Sequence, residues 1–128
     1  MDTKGQPFDV MDVDCPSRLV LQRIGDKWTP LVMQALKDGP SRFTTVRSAV
    51  GGVTPKVLTQ TLRALERDGL VARTVYAQVP PRVDYALTPL GATLLEPLDA
   101  VRAWAEEHAG AILGARDDYD DRQEAIHA

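Results

Sequence analysis

Thr54-Pro55-Lys56-Val57-Leu58-Thr59-Gln60-Thr61-Leu62-Arg63-Ala64-Leu65-Glu66-Arg67-Asp68-Gly69-Leu70 spells out a helix together with its beginning and its end. The Thr54 hydroxyl can accept from an orphan backbone N–H, and Pro55 wastes no donor and has φ already near helical values. Leu58, Leu62 and Leu65 recur at i, i+4 and i+7 and mark the buried side. Gly69 is the expected left-handed terminator. Val71–Tyr76 and Arg82–Leu87 then alternate with period two around a Val79-Pro80-Pro81 tip. That pattern predicts a hairpin with a longer loop, stiffened by proline and unable to pair further there.

The same Thr-Pro signal recurs at Thr29-Pro30 and Thr88-Pro89, and each pair predicts a helix start. A first helix is expected over Pro16 to Ile24, with Leu19, Val20 and Ile24 inward. A second starts at Pro30, offers Leu31, Val32, Ala35 and Leu36 to the core, and stops at Gly39-Pro40. Ser41 can cap a short third helix carrying Phe43, Val46 and Val50, and Gly51-Gly52 gives a turn before Thr54. The last long helix opens at Pro89 with a stripe of Leu90, Leu94, Leu98, Val101, Ala105 and His108, and Pro97 should kink or interrupt it. Residues 1–14 lack periodicity and read as a flexible N-terminal arm. Residues 15–109 read as one domain, and 110–128 as an acidic, mobile tail, frayed from Arg116 onward. The fold class is therefore mainly α with a small β-hairpin (α+β). Four helices, a hairpin and a helix are the layout of a winged helix-turn-helix.

At 128 residues the chain can bury a real core without staples. No apolar run approaches the roughly 18–20 residues that cross a bilayer, and the N-terminus does not resemble a signal peptide, so no membrane is expected. A single cysteine, Cys15, excludes an intrachain disulfide framework and fits a reducing, cytoplasmic compartment. The net charge of −3 divides unevenly. Residues 1–14 carry −3, and residues 15–89 carry eleven basic and five acidic side chains, or +6. Residues 90–128 carry three basic and nine acidic ones, or −6. A basic module lies between acidic ends, which the total conceals.

Lys56, Thr59, Gln60 and Arg63 share one helix face opposite the leucines, at i, i+3, i+4 and i+7. Such side chains suit phosphates and base edges in a major groove: Arg for guanine, Gln for adenine, Thr for either or for a thymine methyl. A merely solvated face would mix charge signs, whereas carboxylates here enter only at Glu66 and Asp68. The helix N-terminus adds backbone N–H groups for a phosphate. Arg73, Tyr76 and Arg82 on the hairpin are placed as a wing would place them, against the sugar-phosphate backbone or in a minor groove. The competing account of both elements is an ordinary surface helix and hairpin.

Several stretches resemble the HxlR-type winged-helix transcriptional regulators of the MarR-like group. They are Cys15-Pro16, Ile24-Gly25-Asp26-Lys27-Trp28-Thr29, Gly39-Pro40-Ser41-Arg42-Phe43, Thr54 to Gln60, Leu65 to Leu70, Val79 to Tyr85 and Leu87 to Gly91, with Trp104. The resemblance covers about residues 15–108 in order, and Asp26 departs from it where a second Gly is usual. It implies a sequence-specific DNA-binding transcriptional regulator that is a homodimer on a pseudo-palindromic operator of double-stranded DNA. Recognition helices would lie roughly 34–36 Å apart. By the resemblance Thr54, Pro55, Lys56, Thr59, Gln60 and Arg63 match the recognition helix, Arg82 the wing, and Arg42 a phosphate contact. Leu94, Leu98, Val101 and Trp104 would pair with the N-terminal helix, including Leu19, across a two-fold axis. A winged-helix protein-interaction module without DNA binding is the alternative.

Cys15 precedes Pro16 at a helix N-terminus, where the dipole favours the thiolate. In the resembled family a cysteine here sometimes senses oxidants or electrophiles, so Cys15 is the candidate redox sensor and a small-molecule effector a candidate partner. Packing in an interface is the plainer role. His108 and His127 have no partners at metal-ligand spacing, and Asp117-Asp118 with Asp120-Asp121 lacks the glycine and terminal glutamate of a calcium loop. No nucleophile elbow, phosphate loop or Cys-His signature occurs. The expectation is no metal, no cofactor and no enzyme.

Overall fold

A computed structural model describes residues 8–127, in two compact units, Met1–Leu95 and Glu96–Ala128. The element order is α1 (Pro16–Ile24), α2 (Thr29–Ala35), β1 (Ser41–Arg42), α3 (Phe43–Ala49), α4 (Pro55–Arg67), β2 (Val71–Tyr76), β3 (Arg82–Leu87), α5 (Pro89–Thr93) and α6 (Leu95–His127). Mostly helical with a three-stranded antiparallel sheet in the order β1-β3-β2, it is a winged helix-turn-helix.

In the first unit the core gathers Val32, Met33 and Leu36 from α2, Val46 from α3, Val50 and Val53 from the turn, Leu58, Leu62 and Leu65 from α4, and Val71 from β2. The three α4 leucines are at most 1% exposed, so truncating any of them to Ala costs about 2–5 kcal/mol. The α4 punctuation works as expected. Thr54 Oγ1 accepts from the Val57 N–H at 3.2 Å, and Gly69 terminates the helix at φ +75. Gly52, at φ +84, supplies the turn between α3 and α4.

Thr88 fastens the next joint. Its hydroxyl donates to the Gly69 carbonyl at 2.6 Å and accepts from the Gly91 N–H at 3.0 Å, while its own N–H donates to the Leu70 carbonyl at 3.1 Å. Gly91 is buried here, and any β-carbon would overlap the Leu70 carbonyl. The Thr88-Pro89-Leu90-Gly91 segment thus clamps α5 to the end of α4.

Several expectations need correction. Leu19 and Val20 were expected inward, yet they are 69% and 57% exposed and α1 buries no residue. Thr29 is the first residue of α2 and not its cap. It is buried, and its hydroxyl donates to Asp26, whose carboxylate also accepts from the Trp28 N–H, both at 3.4 Å. Asp26, the departure from the resembled pattern, thereby serves the start of α2. Leu31 is 45% exposed, and Met33 takes its place in the core. Ser41 does not cap α3; with Arg42 it forms β1 along β3, Ser41 opposite Tyr85 and Arg42 opposite Asp84. Two residues are too few to show an alternating pattern in the sequence.

The helical break falls at Leu94, between α5 and α6, and not at Pro97. Pro97 is then the third residue of α6, where its missing N–H would have had no intrahelical acceptor. In the second unit α6 stays helical to His127, through the residues expected to fray. Arg102 braces it, donating to Asp99 at 2.6 Å and to Glu106 at 2.8 Å. Of the expected N-terminal arm, residues 1–7 lie outside the described residues. Residues 9–15 form successive turns, Asp12 N–H to the Asp9 carbonyl at 3.0 Å and Cys15 N–H to the Asp12 carbonyl at 3.1 Å.

Candidate nucleic-acid interface

The amphipathic pattern of α4 decides which side chains it presents. With Leu58, Thr61, Leu62 and Leu65 buried, Lys56, Gln60 and Arg63 are exposed and Thr59 is half-buried on the other side. Among the described residues neither Lys56 nor Arg63 makes an ion pair. The only carboxylate within α4 is Glu66, in its last turn. At the helix start Pro55 has no N–H and the Val57 N–H is held by Thr54. Of the first-turn amides, that leaves Lys56 N–H without an acceptor among the described residues, fewer free donors than the helix start alone suggests.

The hairpin register sorts the wing residues. Tyr76 opposes Arg82, Thr74 opposes Asp84 and Arg73 opposes Tyr85. Since successive side chains alternate between faces, Thr74, Tyr76, Arg82 and Asp84 share one face and Val71, Arg73, Val75, Val83, Tyr85 and Leu87 the other. Arg42, opposite Asp84, joins the first face. The two predicted wing arginines therefore lie on opposite faces. Both are engaged. Arg73 donates through Nε to Glu66 of α4 at 3.5 Å, and Arg82 donates through Nη2 to Asp84 at 3.1 Å. The Arg82 guanidinium also lies 4.4 Å from the centre of the Tyr76 ring, and its buried Nε–H has no partner among the described residues. The Asp84 carboxylate, by hydrogen bond and charge, holds the Arg82 pKa above its ordinary value. Arg42 and Arg47 are exposed and, among the described residues, unpaired. Arg47, in the last turn of α3, carries no sequence signal because no motif surrounds it.

Cys15 is half-buried at the N-cap of α1. Its Sγ lies 3.0 Å from the Ser17 hydroxyl and accepts from the Asp9 N–H at 3.2 Å. The Ser17 hydroxyl first, then the Ser17 and Asp9 amides, lower the thiol pKa from its usual value, against some burial and the nearby Asp12. Beside α1, a groove of about 780 Å³ is lined by Leu19, Val20, Ile24, Leu70, Leu90 and Leu94. Arg23 and Asp68, paired at 2.9 Å, stand at its margin. Of the predicted interface residues, Leu94 is half-buried, Leu98 is already buried in the single chain, and Val101 and Trp104 are 64% and 56% exposed. No described helix is long and apolar enough to cross a membrane.

This geometry has counterparts of known kind. The uncharacterized HTH-type transcriptional regulator YtfH of Escherichia coli (strain K12) is 43% identical over 104 residues, spanning 81% of this chain and 82% of that protein. The solved structure of a YtfH regulator from Salmonella typhimurium superposes with a TM-score of 0.79 at 40% identity, covering 87% of this chain and 99% of that one. The redox regulator HypR in its reduced form gives a TM-score of 0.71 at 37% identity, over 77% and 98% of the two chains. The sequence model of the HxlR-like helix-turn-helix family matches residues 23–112, and the chain belongs to this family of DNA-binding transcriptional regulators.

Proposed function

We propose that the protein acts in the cytoplasm as a homodimer on a pseudo-palindromic operator, with α4 of each subunit in the major groove. The carrying observation is the exposed, carboxylate-free face of α4. Thr59, Gln60 and Arg63 read bases. Lys56, with Thr54 and Pro55 shaping the helix start, and Arg42 hold phosphates. Arg73 and Arg82 reach the flanking backbone only by loosening their contacts to Glu66 and Asp84. The exposed Leu19, Val101 and Trp104, with Leu94, belong to the dimer contact. Selection from random duplexes tests this reading. Enrichment of an inverted repeat with half-sites about one helical turn apart is expected. No enriched sequence, together with binding that is insensitive to salt, would instead favour a protein-interaction module.

Regulation is the second part of the proposal. Cys15 senses electrophiles, a reading supported by its hydrogen-bonded thiol and by the likeness to the redox regulator HypR. In the reaction with a quinone, the thiolate sulfur forms an S–C bond as the ring C=C electron pair moves onto a carbonyl oxygen; that oxygen takes from solvent the proton the thiol had lost, and the proton on the attacked carbon passes to the other oxygen, giving a hydroquinone thioether. The apolar groove beside α1 is the place for a small effector. Because the thiol pKa is lowered, alkylation by iodoacetamide should keep its rate as pH falls below the usual thiol range of about 8.5 and decline only at more acid pH. An ordinary midpoint, with operator affinity unchanged by quinone and a Cys15→Ser protein that behaves like the parent, removes thiol sensing.

A further inference from the structure

The hairpin register closes at Tyr76 opposite Arg82 and leaves Ala77-Gln78-Val79-Pro80-Pro81 as the tip of the wing. All five residues are exposed, Val79 completely, and none is charged. The nearest cations along the chain are already engaged, Arg73 by Glu66 and Arg82 by Asp84 and the Tyr76 ring. Donors are scarce as well. Pro80 and Pro81 have no N–H, and the Gln78 N–H is given to the Tyr76 carbonyl at 2.9 Å. The tip therefore offers a phosphate very little. It offers instead a small apolar wedge, stiffened by two fixed proline φ angles, that loses little conformational freedom when confined. One exposed valine on a surface needs no explanation. A rigid apolar tip on a hairpin that follows directly from α4 calls for one.

The length of the wing sets what the tip can reach. At about 3.3 Å per residue, the strand from Val71 to Tyr76 carries it roughly 17 Å from the end of α4. Half of a 34–36 Å helical turn is about the same distance, and on one side of a duplex it separates a major groove from the neighbouring minor groove. With α4 in the major groove, the tip meets that minor groove. Its floor presents the adenine N3 and thymine O2 acceptors, and at G·C pairs the guanine 2-amino group as well. An apolar tip covers that amino group without accepting from it, which costs an unmade hydrogen bond. Over A·T the floor has no such obstruction. The remaining acceptors can be met by Gln78, the one polar side chain of the tip, through its amide N–H groups.

We propose that Gln78, Val79, Pro80 and Pro81 form an uncharged reader of the minor groove beside each half-site, which selects A·T pairs by excluding the guanine 2-amino group. The proposal rests on the reading of α4 in the major groove and adds to it a sequence preference that needs no cation. Titration of the full chain against the operator enriched from random duplexes tests it. That operator should carry A·T pairs about half a helical turn outside each α4 site. Replacing their adenines by 2,6-diaminopurine adds the 2-amino group and leaves the major-groove edge as it was, and affinity should fall about 5–50-fold. Inosine·cytosine at the same pairs has no amino group in the minor groove and should change affinity by less than about twofold. Val79→Ser supplies a hydroxyl that can accept from the amino group. It should shrink the preference for adenine over diaminopurine at least about threefold and, with no charge altered, leave the salt slope where it is. Equal affinity for the adenine and diaminopurine flanks, with Arg63→Ala still damaging, would overturn the tip and leave α4 in place. A preference unaltered in Val79→Ser would assign it to the width of the groove and overturn the role of the tip. No enriched operator at all would overturn both.

Discussion

The basic side chains of α4 and those of the wing look alike in the sequence and differ in the fold. Lys56 and Arg63 stand on an exposed face with no carboxylate against them. Arg73 and Arg82 are each held by one, Glu66 and Asp84, and Arg82 also rests on the Tyr76 ring. A free cation gives its full counterion release to DNA, whereas a paired one must first surrender its partner. The wing thus contributes less net charge than its arginines suggest, while α3 and α4, with four basic side chains and one carboxylate, supply +3 of the central module's +6.

The largest effect expected from this contrast is at Arg63. Arg63→Ala should weaken operator binding by about 1–3 kcal/mol and relax the preference at one base position. Arg82→Ala should weaken binding less and equally for every sequence, since it removes a charge already opposed by Asp84. Titrations against the selected operator and a scrambled duplex separate the two. If Arg82→Ala proves costlier than Arg63→Ala, or shifts the sequence preference, the contrast is reversed.

The sequence displayed α4 in full because every device that makes it a helix is local: the Thr54 cap, the leucine spacing and Gly69. The pairing in the wing was hidden because it depends on register. That Arg82 meets Asp84 follows from their sharing one face of a strand, two residues apart, and could have been read from the alternation. That Arg73 meets Glu66 depends on how the sheet packs on α4, which no spacing encodes. The β1 strand was lost for the same reason, since two residues become a strand only through the edge of β3. The exposure of Leu19 and Val20 was equally illegible. An apolar stripe looks the same whether its cover comes from the same chain or from another.

Asp84 offers the next sharpening. Its side chain is 12% exposed and it opposes Arg42 as well as holding Arg82. Asp84→Asn keeps the shape of the wing while freeing a full positive charge. Affinity for any duplex should rise at low salt, and the slope of log affinity against log salt should steepen by about 0.9 for the additional phosphate contact. An unchanged slope would mean that Arg82 does not reach the backbone even when free.

Glu66→Gln is the smaller counterpart. The Arg73 contact is long, at 3.5 Å, and both side chains are more than a third exposed, so solvent already screens it. Releasing Arg73 therefore changes little in the free protein. It also lies on the sheet face opposite Arg42 and Arg82, so it can add a phosphate contact only if DNA wraps that side of the wing. The expected slope change is well below that of Asp84→Asn. A change as large as that of Asp84→Asn would place DNA along both faces of the hairpin and make Arg73 and Arg82 equal partners in holding it.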